Sequence, residues 1–322
     1  MFRHTLMAGV ATLALLAGPV LAEEPVADKK LERIGISLGT MSNPFFVALA
    51  RGAEAEAKKV NPDVQVMAFG YDYDIAKQFS QIDNFISAGV DLILLNPADA
   101  SAIGPAIRRA QEAGIVVVAV DTFAEGADAV VTTNNVQAGE IACQYIVDKL
   151  KGEGNVIIQN GPQVSAVIDR VNGCKSALEA APGITILSSD QDGKGTREGG
   201  MNVMQSHLVR FADIDAVFAI NDPQAIGTDL AARQQGRSGI IISAVDGAPD
   251  IEVALKDAGA VMIEASASQN PYDMARRAVD LGVKVLQGEE LAAPVELMDS
   301  KLVTRENIAD YIGWASDPAV TD

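Results

Sequence analysis

Asn96, Asp121, Asn221 and Asp246 each close an apolar run. The runs read Leu92-Ile93-Leu94-Leu95-Asn96, Val116-Val117-Val118-Ala119-Val120-Asp121, Ala216-Val217-Phe218-Ala219-Ile220-Asn221 and Ile241-Ile242-Ser243-Ala244-Val245-Asp246. Carboxylates accept hydrogen bonds, and amides both donate and accept them. Gathered together, such groups form a dense array suited to a polyhydroxylated molecule. A single Asn or Asp after a strand is commonplace, because both residues favour turns and helix N-caps. Four at equivalent positions, two in each half of the chain, point instead to one shared cleft. In open α/β sheets, ligands bind beyond the carboxyl ends of the strands, where the strand order reverses.

Further residues fit such a cleft. Gly39-Thr40-Met41-Ser42-Asn43-Pro44-Phe45-Phe46 follows the first expected strand. Pro44 suits the first helical position, with Ser42 or Asn43 as its cap. Phe45 and Phe46 would project about 100° apart on a helix of ~3.6 residues per turn. One of them then enters the core, while the other offers an aromatic face to the C–H face of a sugar ring. Arg170 follows the loop Asn160-Gly161-Pro162-Gln163. It is either a solvated helix cation or a guanidinium held by a carboxylate while donating to ligand hydroxyls. Gln269, just before Asn270-Pro271, either reaches the cleft or caps the next helix.

Catalytic chemistry finds few candidates. Beyond the leader there is one histidine, His207, beside Val203, Met204 and Leu208, and a surface or core-edge position is expected for it. A histidine-rich metal site is therefore excluded. No G-x-S-x-G elbow or Walker loop occurs. Gly193-Lys194-Gly195-Thr196-Arg197-Glu198-Gly199-Gly200 follows neither dinucleotide nor P-loop spacing. Asp190 and Asp192 are too few for an EF-hand loop. Tyr71-Asp72-Tyr73-Asp74 reads as a loop and helix cap at the rim of the cleft. The expectation is a binding protein with no catalytic residues, no metal and no cofactor.

The elements that must position these residues alternate along the chain. Strands are expected at 33–39, 63–69, 91–95, 115–120, 129–133, 154–159, 184–189, 214–220, 239–245 and 260–266. Helices are expected at 44–59, 74–88, 102–113, 136–150, 165–180, 196–210, 223–235, 249–257 and 271–287, with a short one at 305–312. This βαβ alternation implies an α/β fold with parallel sheets covered by helices on both faces. So many strands suit two sheets better than one, with a break near Thr133–Asn134.

Residues 1–22 read as a signal peptide: Arg3 and His4, an apolar stretch from Leu6 to Ala17, and the small-residue site Val20-Leu21-Ala22. Removing it takes one Arg and no acid, so the formal net charge goes from −18 to −19. Such acidity promotes solubility and lacks the clustered Lys and Arg of a nucleic-acid partner. Export makes a disulfide between Cys143 and Cys174 permissible, the alternative being two separate buried thiols.

Ser42-Asn43-Pro44-Phe45-Phe46, Leu95-Asn96-Pro97-Ala98-Asp99, Val120-Asp121, Asn202-Val203-Met204-Gln205, Phe218-Ala219-Ile220-Asn221-Asp222 and Asp246-Gly247-Ala248-Pro249-Asp250 together resemble the periplasmic ribose-binding protein family, over about residues 33–303. The resemblance implies two Rossmann-like lobes joined by a three-crossover hinge, residues 31–133 plus about 270–294 forming the first and 134–269 plus about 295–322 the second. It implies a ligand site made of Asn43, Phe45, Phe46, Asn96, Asp121, Arg170, Asn221, Asp246 and Gln269. The implied partners are a monosaccharide or polyol and an inner-membrane ABC permease. The protein itself is expected to be a periplasmic monomer. A sensory protein for a chemoreceptor or sensor kinase would share all these residues, and an exported sugar-modifying enzyme is the remaining alternative. Three positions depart from the ribose pattern: Gly39 in place of a serine, Thr122 in place of an arginine, and Gly195 near where an aromatic residue stacks on the ring. Another pentose, a hexose, a cyclitol or an alditol is therefore expected in preference to ribose.

Overall fold

The computed structural model describes residues 29–257, 259 and 261–314. The expected signal peptide lies outside them. In chain order the first elements are β1 (Arg33–Leu38), α1 (Pro44–Val60), β2 (Gln65–Gly70), α2 (Ile75–Ala88), β3 (Leu92–Leu95), α3 (Gly104–Glu112), β4 (Val116–Val120) and β5 (Ala129–Thr133). Next come α4 (Asn135–Leu150), β6 (Glu153–Gln159), α5 (Ser165–Glu179), β7 (Gly183–Ser188), α6 (Arg197–Arg210), β8 (Ala216–Ala219), α7 (Asp222–Gln234), β9 (Ile241–Asp246), α8 (Pro249–Lys256) and β10 (Ile263–Ser268). The chain then adds α9 (Pro271–Leu286), β11 (Val295–Met298), β12 (Leu302–Thr304) and a 3-10 turn at Ile308–Asp310.

Two sheets result, ordered β11-β5-β4-β3-β1-β2 and β12-β10-β9-β8-β6-β7. Each contains the same arrangement of five parallel strands, β2-β1-β3-β4-β5 in one and β7-β6-β8-β9-β10 in the other. The order reverses beside β1 in the first sheet and beside β6 in the second, so the crevices open at the carboxyl ends of β1 and β3 and of β6 and β8. Alternate residues of the central strands face opposite sides, as a two-residue period requires. Leu92 and Leu94 join Ile34, Ile36 and Val118 in one apolar core. Ile93 and Leu95 join Val117 and Ala119 in another, across the same sheet. The second sheet is likewise covered on both faces.

Helix starts set the strand-end geometry. Asn43, Asp74, Asn134, Asn221 and Asn270 each cap a helix by accepting from a backbone N–H two or three residues on. α4 and α5 lie unusually close. A Cβ on Gly139 would sit 2.0 Å from the Arg170 carbonyl, and one on Gly173 would sit 2.0 Å from that of Val136. Cys143 and Cys174 are disulfide-bonded across this contact, with Cα atoms 5.0 Å apart.

The chain passes between the sheets three times: after β5, after β10 and after β11. These segments are laterally bonded. Thr133 Oγ1 donates to Gln269 Oε1 (2.6 Å), Ser300 N to Gln137 Oε1 (2.8 Å) and Ser268 N to Lys301 O (2.8 Å).

The C-terminal part differs from expectation. β11 pairs in parallel with β5, so the first sheet extends through Met298 and the boundary expected near 294 moves past it. β11 and β12 have no counterpart among the expected strands. Both are short edge strands, and β12 has only three residues, antiparallel to β10. The helix expected at 305–312 is only the 3-10 turn, and the last strand of the parallel series begins at Ile263 rather than near 260.

Candidate functional site

All nine residues singled out as ligand-binding line one cavity between the two sheets. Its volume is about 60 Å³. Tyr73, Thr122 and Gly195 line it as well.

The first half contributes aromatic rings and a self-bonded polar cluster. Asn43 faces the cavity from the α1 cap, where its Oδ1 accepts the Phe45 N–H at 3.0 Å. Phe45 and Phe46 stand edge to face with centroids 5.4 Å apart. The expected division of labour between them is not observed: both are buried in the core and both reach the cavity wall. They occupy the first turn of α1, over the rim where core and crevice meet. Gly39 makes room for this arrangement, since a Cβ there would lie 2.7 Å from the Phe46 ring. Asn96 Nδ2 donates to Asp121 Oδ2 (2.9 Å) and to Thr122 Oγ1 (3.0 Å). Behind it, the buried Tyr71 hydroxyl donates to Asn96 Oδ1 at 3.2 Å. Asp121 has φ +69, a left-handed conformation that Asp adopts more readily than most residues. The Thr132 hydroxyl donates to the Asp121 carbonyl at 2.5 Å and fixes it there.

The second half contributes charge. Arg170 is buried on α5; its Nε donates to Asn135 Oδ1 (2.8 Å) and its Nη1 to the Ile220 carbonyl (2.9 Å) and Asp246 Oδ1 (3.4 Å). None of these bonds uses Nη2, so the fork keeps donors for the cavity. Asp246 ends β9 with φ +141. Gln269 holds it twice, donating from Nε2 to Oδ1 (2.7 Å) and from its backbone N–H to the Asp246 carbonyl (2.8 Å). Asn221 caps α7 through Oδ1 and donates from Nδ2 to the Gly195 carbonyl at 3.0 Å. Asp222 is buried beside the site and accepts from Ala248 N (2.6 Å) and the Ser266 hydroxyl (2.7 Å).

Three buried carboxyls against one guanidinium leave the cluster short of positive charge. Burial pushes Asp121 up to about 7; Arg170 and the Asn96 hydrogen bond pull it down, and Asp246 pushes it up. Burial likewise pushes Asp246 up to about 6, opposed by Arg170 and Gln269. Burial, then the Asp246 charge, raises Asp222 well above the carboxylate range. A molecule that brings hydroxyl donors to Asp121 and Asp246 would stabilise their ionised forms.

Tyr73 is the lining residue that the sequence placed only at the rim. Asp74 is the helix cap expected of that tract, accepting from Ala76 N and Lys77 N. His207 is buried, so the surface position expected for it does not hold; it packs against the partly buried Phe211 at the edge of the second lobe's core. Among the described residues, no group of three or more His, Cys, Asp or Glu is arranged to hold a metal ion. No described helix is long and apolar enough to cross a membrane.

Residues 34–290 match the model of the periplasmic binding protein domain. The chain is 33% identical over 308 residues to the ribose import binding protein of Salmonella typhimurium, covering 94% of this chain and 98% of that one. It is 29% identical to a xylitol-binding protein of Mycolicibacterium smegmatis, over 89% of this chain and 81% of the relative. Among solved structures, it superposes on an ABC transporter solute-binding protein of Bacillus halodurans with bound myo-inositol, with a TM-score of 0.80, 26% identity, and 88% and 98% of the two chains covered. A periplasmic solute-binding protein of Actinobacillus succinogenes with bound D-allose gives a TM-score of 0.79 at 26% identity, covering 87% and 99%.

Proposed function

The chain belongs to the periplasmic binding protein domain family, and from that premise we propose that it is an exported solute-binding protein of an ABC importer. Its ligand is a monosaccharide or sugar alcohol, held in the cavity between the lobes. The observation that carries this reading is the convergence of Asn43, Phe45, Phe46, Asn96 and Asp121 from one sheet with Arg170, Asn221, Asp246 and the crossover residue Gln269 around one small cavity. Flat apolar rings suit the C–H face of a sugar, and acceptors with a guanidinium suit its hydroxyls. A cavity of about 60 Å³ favours one compact unit over an oligosaccharide.

The mechanism is closure without chemistry. Hydroxyls that bridge Asn96 and Asp121 to Arg170, Asn221 and Asp246 contact both lobes only when these are together. The ligand therefore stabilises the closed state by its differential contacts. The laterally bonded crossing segments are the hinge, and the closed pair of lobes is the form presented to an inner-membrane permease. Relatives named for ribose import and xylitol binding support this class of ligand.

A thermal-shift screen with D-ribose, D-allose, xylitol and myo-inositol tests the reading. A molecule present at 100 times its dissociation constant should stabilise the protein by about 2.7 kcal/mol. Flat melting curves across pentoses, hexoses, alditols and inositols would overturn the ligand class.

A further inference from the structure

Trp314 is the chain's sole tryptophan, and it does not line the ligand cavity. It follows β12 and the 3-10 turn, so the chain carries it with the second sheet. Tyr311 anchors this stretch there, its hydroxyl donating to the Gly247 carbonyl at 2.8 Å. Trp314 Nε1 donates to the Asp246 carbonyl at 3.0 Å. Yet the indole is buried in the apolar core of the first lobe. It stands edge-on to Phe45, with centroids 5.7 Å apart. Ala248 of the second lobe enters the same core.

Trp314 thus lies directly behind two cavity residues, one from each lobe. We propose that it is a closure latch and a positioning residue for Asp246. Its N–H and the backbone N–H of Gln269 both donate to the Asp246 carbonyl. Together they hold a residue with φ +141, outside the conformations L side chains favour, so that its carboxylate meets Arg170. The bond to Asp246 stays within the second lobe, and the contact with Phe45 crosses between lobes. Opening the hinge separates the indole from Phe45 and exposes it to water. Closing buries it again and adds an apolar contact that only the closed state makes, which lengthens the residence of the ligand.

This inference rests on the proposed sugar-binding function, and the experiment separates the two. The probe is whichever of D-ribose, D-allose, xylitol and myo-inositol stabilises the full chain in a thermal-shift assay. Adding it should shift the Trp314 emission to the blue and protect the indole from acrylamide quenching. Trp314→Leu should weaken binding roughly thirty-fold, the scale of a buried aromatic anchor, mainly through faster dissociation. Its ligand-free melting temperature should fall only slightly, through loss of the hydrogen bond to Asp246 within the second lobe. Trp314→Phe, which keeps a ring against Phe45 and loses the N–H, should fall between Trp314→Leu and the wild type. A purely structural tryptophan would lower the ligand-free melting temperature and leave the dissociation constant unchanged, and that result overturns the latch. Unchanged emission on binding overturns it too. If none of the four molecules stabilises the protein, the sugar-binding reading fails, and the latch with it.

Discussion

The two halves share a strand order but present different chemistry at their strand ends. In the first half, Asn96, Asp121, Thr122 and Tyr71 are already bonded to one another. The two phenylalanines beside them belong to the core as much as to the cavity. In the second half, Asp246 and Asp222 are buried carboxyls whose neighbouring cation is Arg170. The repeated fold supplies the same crevice twice, and the loop residues decide what each crevice does. One half is a shaped wall with a hydrogen-bond relay that ends on a single carboxyl, Asp121. The other is a charge cluster under electrostatic tension, which a hydroxyl-rich molecule can relieve.

Removing Arg170 should expose this difference most strongly. Arg170→Ala leaves Asp246 buried without its cation, and breaking a buried pair costs about 3–5 kcal/mol. Urea unfolding should show that loss, with sugar binding abolished. The disulfide also serves only the second half. Cys143→Ser with Cys174→Ser should cost about 2–4 kcal/mol and bring the second lobe to unfold before the first, followed by hydrogen exchange. No comparable separation would mean that the two lobes unfold as one unit.

The acids should make both stability and binding depend on pH, in opposite directions. Asp121 and Asp246 are raised to about 7 and about 6 in the folded protein, against about 3.9 for an unperturbed Asp. Between roughly pH 4 and 7 the folded state therefore binds more protons than the unfolded state, and ligand-free stability falls as pH rises through this window. Ligand hydroxyls favour the ionised acids, so binding should release protons and tighten from about pH 5 to 7.5. Asp121→Asn, in the first half, should flatten part of that profile and cost binding on the order of 1.5–3 kcal/mol, the scale of a hydrogen bond to a charged group. Calorimetry in buffers of different ionisation enthalpy would measure the proton release, and a pH-independent affinity would contradict the assigned protonation states. The smallest effect belongs to the exposed Arg109–Asp83 pair: Asp83→Ala should change stability by less than about 1 kcal/mol.

What the sequence made legible follows the same division. The buried parallel strands were plain, because continuous Val, Ile and Leu runs have few other uses in a chain that also shows regular helical periodicity. Their terminal Asn and Asp residues located the cavity. β11 and β12 were illegible because an edge strand of three or four residues needs no long apolar run and is defined by its partner. Tyr73 is legible only as a rim residue, since its φ of +59 turns the loop in a way that spacing does not announce. Trp314 carried no signal at all. Its partners, Phe45 and the Asp246 carbonyl, are distant in sequence and meet only in the folded chain.

The most direct measurement is isothermal titration calorimetry of the wild type and Asp246→Asn with the sugar or polyol that gives the largest thermal shift. The substitution keeps the side chain's shape and removes its charge, so it isolates the second half's contribution. Saturable one-site binding by the wild type, weakened at least tenfold in a variant that still folds, is the expected result. Equal affinity in the two proteins would contradict a ligand site built on the Asp246–Arg170 cluster.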